Sequence, residues 1–212
     1  MKTRTLPLLV IALGFSISCG SYYERPPSDC SVFPAQQTSL YVLPYEVGQS
    51  FKVGKTGSHG AAGHEWYYSV DFLMPTGTPV VASRSGKVVN TEMKFLDGDN
   101  VPGHENLIWI QHADGTVARY FHFSHQSALV HIGDTVSQGQ VIALSDNTGN
   151  STAPHLHFDV VQCLTGLTPA DRATLPCGQT LPLSFKNTIE HPCGLAFGKS
   201  YPALPLNIWR TY

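Results

Sequence analysis

The chain has 212 residues, with 13 Lys and Arg against 15 Asp and Glu. A formal net charge of −2 gives no basic footprint for a polyanion, so no nucleic acid is expected as a partner. Apolar residues make up 42% and charged residues 13%, which excludes general disorder, and the 19 Gly and 15 Pro fit the many turns of an all-β domain.

Lys2 and Arg4 precede an apolar run over 6–17, the pattern of an export signal. A helix over that run would reach about 18 Å, short of the roughly 30 Å hydrocarbon core of a bilayer. Residues 1–20 are therefore expected to be a signal peptide. Its end, Phe15-Ser16-Ile17-Ser18-Cys19, resembles a bacterial lipobox, in which the Cys is lipidated and becomes the first residue of the mature chain. The expected location is periplasmic or outer-membrane lipoprotein, with a possible N-terminal lipid anchor to a membrane; ordinary cleavage would give an unlipidated periplasmic or secreted protein. Setting Cys19 aside leaves Cys30, Cys163, Cys177 and Cys193, enough for two disulfides in an oxidising compartment. Two of the three late cysteines are expected to pair, and the third to meet Cys30.

Residues 21–37 are polar and contain Pro26-Pro27, and read as a tether or loop. From 38 to 162 short β-branched runs alternate with turn signals. Strands are predicted at 79–82, 86–89, 107–110, 117–123, 140–144 and 155–160. No apolar run keeps a 3.6-residue period, so the prediction is a twisted antiparallel sheet. The acids in Asp97-Gly98-Asp99-Asn100 lack the later ligands of a calcium loop and read as a solvated hairpin. Residues 163–212 are rich in Cys and Pro, with one strand-like stretch at 181–185, and are expected to form an extension packed on the main sheet.

Chemistry concentrates in the histidines. In Pro154-His155-Leu156-His157-Phe158 strand alternation aims His155 and His157 to one side and Leu156 and Phe158 to the packed side. Two imidazoles sharing one space suit a metal site better than a plain core. By the same alternation Tyr120 and His122 are expected on one face, with Phe121 and Phe123 on the other. Asp71 lies between Val70 and Phe72, and a buried carboxylate there needs a partner or a metal.

In order, Asp71-Phe72 with Gly77-Thr78-Pro79-Val80, then Tyr120-Phe121-His122, then 133–140, and finally 147–158 resemble the lysostaphin-type zinc endopeptidases over 57–161. The resemblance implies an antiparallel β-fold with an active-site groove and hydrolysis of peptide bonds in peptidoglycan stem peptides or cross-bridges. It also implies a zinc ion held by His64, Asp71 and His157, with His122 and His155 as catalytic residues. The usual first motif has His four residues before Asp, where this chain has Tyr67; His64 is the nearest candidate upstream and His59 the runner-up. Three protein ligands are the pattern of a catalytic zinc site. His155 is the expected base and His122 the expected donor to the oxyanion, with the roles exchangeable. Two rivals remain: a non-catalytic wall-binding or amidase-activating protein on the same fold, and a phosphotransfer domain, which the export signal disfavours. His104, His112, His125, His131 and His191 match no motif position and are expected to be structural or on the surface.

Overall fold

Regular structure follows the alternation of apolar and polar residues. The computed structural model describes residues 30–56, 68–163 and 177–206. Two single turns of 3-10 helix, Cys30–Val32 and Gln36–Thr38, precede eleven strands: β1 (Ser50–Thr56), β2 (Val70–Leu73), β3 (Pro79–Val81), β4 (Gly86–Glu92), β5 (Leu107–Gln111), β6 (Thr116–Phe121), β7 (Thr135–Val136), β8 (Val141–Leu144), β9 (Leu156–Cys163), β10 (Cys177–Thr180) and β11 (Ser200–Pro202). The main sheet runs β11-β1-β2-β9-β6-β5-β4-β7, β10 extends it along β9, and β3 pairs with β8 separately. Every pairing between these strands is antiparallel. No helix among the described residues is long and apolar enough to cross a membrane.

One face of the sheet carries the main core. Phe72 of β2, Ala118 and Tyr120 of β6, and Leu156, Phe158 and Val160 of β9 pack there with Tyr45, Phe123 and Phe185. Burying such an apolar side chain contributes about 1.5–3 kcal/mol, so this face supplies most of the drive to fold. Trp109, Val117, Phe121 and Val161 form a smaller cluster on the opposite face.

Two strand predictions require correction. The strand predicted to run through Phe123 stops at Phe121. The 181–185 stretch is not a strand; the paired segment is β10, just before it, and Phe185 makes only an isolated bridge to Tyr41. Pro182 explains this, because it has no backbone N–H to give a ladder.

Residues 21–37, read as a tether, enter the described structure only from Cys30. There Cys30 is disulfide-bonded to Cys193, and Gln36 Nε2 donates to the Thr188 carbonyl at 2.7 Å. Ser184 Oγ donates to the Pro34 carbonyl, also at 2.7 Å. This segment is thus fastened to the C-terminal part of the chain.

Cys163 and Cys177 are directly opposed in the β9–β10 register. Directly opposed antiparallel residues have Cα atoms about 4.5–5.5 Å apart, inside the range that a disulfide spans. A second disulfide is therefore expected between them, closing a loop of about 15 residues and stabilising the fold by about 3 kcal/mol. Intact-mass measurement after alkylation, with and without reductant, checks this. No alkylated Cys among these four before reduction is the expected result, and two would refute it.

Candidate active site

The register of three strands assembles most of the site. Asp71 of β2 lies opposite His157 of β9, and His157 lies opposite Phe121 of β6. Two residues further along the same face, Arg119 of β6 lies opposite Asp159 of β9. The row between them, Val70, Phe158 and Tyr120, points into the core.

His122 joins this face by a different route. It follows the end of β6 with φ 69°, in the left-handed region, so alternation does not carry through it. Its ring lies 4.4 Å from that of His155 and 6.3 Å from that of His157. Tyr120 instead packs in the core, where its hydroxyl accepts the Ser83 N–H. Tyr120 and His122 thus do not share a face as expected, and the turn at His122 is the reason. Phe123 returns to the core.

Asp71, His122 and His157 are buried, while the His155 side chain keeps 13% of its surface exposed. Asp71 Oδ1 is 3.0 Å from His157 Nδ1, and Asp71 Oδ2 is 3.6 Å from His155 Nε2. The other His157 nitrogen, Nε2, is 3.4 Å from Asp159 Oδ2. Burial disfavours charge on His157, but the Asp159 and Asp71 carboxylates outweigh it and lift its pKa to about 9. Burial and the adjacent His155 push His122 down to about 3, against a hydrogen bond to Thr148 that favours its charge.

The backbone sets the tautomers of the catalytic candidates. A carbonyl only accepts, so His122 Nδ1 donates to the Thr148 carbonyl at 2.7 Å and His155 Nδ1 to the Ala153 carbonyl at 2.9 Å. In the neutral rings Nε2 then carries the lone pair. Ser151 Oγ, 3.1 Å from His155 Nδ1, braces the same ring. Asn106 ties the loops together: its amide donates to the Phe95 and Phe123 carbonyls, and its N–H donates to Thr148 Oγ1.

Asp71 and His157 fit a zinc site by donor chemistry, since a buried carboxylate oxygen and an imidazole nitrogen converge within 3.0 Å of each other. Binding there must displace the proton between them. Among the described residues no three His, Cys, Asp or Glu are grouped to hold a metal ion. His64, predicted as the third ligand, and His59, its alternative, both lie outside the described residues.

The remaining histidines lie elsewhere. His112 and His191 are buried, His104 stacks on Phe95 and pairs with Asp99, and His131 is exposed near Asp134. Asp99 also accepts the Val101 and Gly149 N–H groups, as suits a hairpin acid. Sequence reasoning missed Arg119, Asp159, Thr148, Ser151 and Asn106. Asp159 had a signal, because it repeats the two-residue spacing of His155 and His157; Thr148 and Asn106 act through backbone contacts that carry no local pattern.

Residues 64–169 match the family model described as Peptidase family M23. Over 91 residues the chain is 45% identical to the peptidoglycan DD-endopeptidase ShyA of Vibrio cholerae, covering 43% of this chain and 19% of that protein. Over 124 residues it is 44% identical to lysostaphin of Staphylococcus simulans, covering 58% of this chain and 23% of that protein. The chain therefore spans less than a quarter of the length of either relative. The solved catalytic domain of S. simulans lysostaphin is 33% identical at a TM-score of 0.40, covering 59% of this chain and 90% of that domain.

Proposed function

Because this chain belongs to peptidase family M23, we propose that it is an exported zinc-dependent endopeptidase that hydrolyses peptide bonds in peptidoglycan stem peptides or cross-bridges. The observation that carries this reading is the convergence of Asp71, His122, His155 and His157 on one side of the sheet. Its relatives, a peptidoglycan DD-endopeptidase and lysostaphin, favour a wall peptide as substrate.

In this proposal Asp71, His157 and His64 hold the metal. Zinc bound there supplies polarisation of the scissile carbonyl and makes the attacking water more acidic. His155 and His122, each anchored through Nδ1 to a carbonyl, keep the lone pair of Nε2 available to accept a proton. The imidazole that accepts the water proton becomes an N–H donor, first to the oxyanion and then to the leaving amine. An extended substrate suits the site, because a stretched peptide offers backbone groups for pairing while side chains beside the site select its residues.

The test is digestion of isolated cell walls by the purified protein, with fragments identified by mass spectrometry. Cleaved peptide bonds are expected, with loss of cleavage when a chelator removes the metal and recovery on adding zinc. Wall binding without cleavage, unchanged by chelator, would favour the wall-binding or amidase-activating alternative. Metal content of His64→Ala and His59→Ala assigns the third ligand, with loss expected only in the first. We also propose lipidation of Cys19, which the intact mass of membrane-extracted protein would reveal as an acylated N-terminus.

A further inference from the structure

Arg119 and Asp159 face each other on β6 and β9, two residues along the same face from His157. Arg119 Nε donates to Asp159 Oδ1 and Nη2 to Oδ2, both at 2.7 Å, and Asp159 has no exposed surface. Besides His157, the described residues on this face include the apolar cluster Trp109, Val117, Phe121 and Val161. A buried ion pair gains little net stability, because desolvating both charges offsets their attraction. Stability alone therefore gives no reason for a charge pair among these side chains.

The geometry supplies one. Asp159 Oδ2, fixed by the guanidinium fork, also stands 3.4 Å from His157 Nε2, while His157 Nδ1 faces Asp71 at 3.0 Å. We propose that Arg119 and Asp159 are positioning residues for His157. Asp159 accepts the Nε2–H, which fixes the ring plane and the tautomer and leaves Nδ1 to the metal; Arg119 holds Asp159 in place. This inference rests on the proposed metal site. Partners that orient a metal-ligating imidazole typically contribute 10- to 100-fold to metal affinity.

The experiment separates positioning from plain stability in the full-length chain. Replacing the pair as Arg119→Met with Asp159→Leu removes both charges of the fork together, so that neither is left without the other. The expected variant unfolds cooperatively near the wild-type midpoint, binds zinc about 10- to 100-fold more weakly in chelator competition, and shows an altered visible spectrum with cobalt in place of zinc. Arg119→Met with Asp159→Asn returns an acceptor to His157 and is expected to recover part of the affinity. Wild-type affinity and spectrum in both double variants would overturn the inference and leave the metal site standing. Failure of wild-type protein to bind stoichiometric zinc would instead remove the metal-site reading, and this inference with it. A measurement on zinc-loaded wild type needs no variant to fold: nitrogen-15 NMR is expected to show His157 protonated at Nε2, and protonation at Nδ1 would overturn the proposal.

Discussion

His155→Ala is expected to lower kcat/KM on peptidoglycan by about 10²- to 10³-fold, the usual consequence of removing one proton-transfer or oxyanion group, while zinc content stays unchanged. Zinc is retained because His155 meets Asp71 only at 3.6 Å and is not among the proposed ligands. His122 is expected to behave alike, and the variant to use is His122→Asn. The backbone at φ 69° strains Ala, whereas Asn is among the residues most tolerant of that region. Combining the two substitutions should lose little more than the worse single variant, because residues that act as a unit on one step are not additive. The measurements are steady-state kinetics on a fluorogenic wall peptide and metal analysis of the same preparations. Activity within threefold of wild type in either single variant would take that histidine out of the mechanism. Loss of zinc from His155→Ala would move it into the ligand set.

Phe158→Ala is expected to destabilise the fold by about 3–5 kcal/mol, the range for truncating a large aromatic side chain in a packed core. The ring has no exposed surface and lies 5.0 Å from Tyr120 and 6.0 Å from Phe185, so the space it leaves is lined on two sides by rigid rings. Collapse into that space would have to move β6 or the C-terminal segment. The effect also reaches the site, since Phe158 lies between His157 and Asp159 on β9 and sets the strand against the core. Urea unfolding monitored by tryptophan fluorescence measures the loss, and an unchanged m-value keeps the comparison valid. A change below 1 kcal/mol would mean that the core re-forms around Ala at this position.

Local pattern was enough wherever the backbone stays extended. Alternation in 155–160 separates Leu156 and Phe158, which enter the core, from His157, which does not. The same rule places Asp71 opposite to Val70 and Phe72. Period two is a property of each strand alone, so it can be read without knowing the partner strands. The order of the peptidase motifs is likewise written in the chain, and residues 64–169 match the family model.

Other features depend on contacts between residues far apart in sequence, and only the tertiary structure decided them. His122 reaches the site because its backbone leaves the extended region, a choice stabilised by the Thr148 carbonyl and by Asp146 N–H donating to the His122 carbonyl. A late cysteine is expected to meet Cys30, but that it is Cys193, at a sequence separation of 163, no local rule decides. Strand order is similar: β11 lies at the edge of β1, and β10 takes the part of β9 that β2 leaves open, because those edges still offered unpaired backbone groups. The Arg119–Asp159 pair belongs here too. Each residue alone is an ordinary charge on a strand, and only the register of β6 against β9 turns them into a buried fork beside His157.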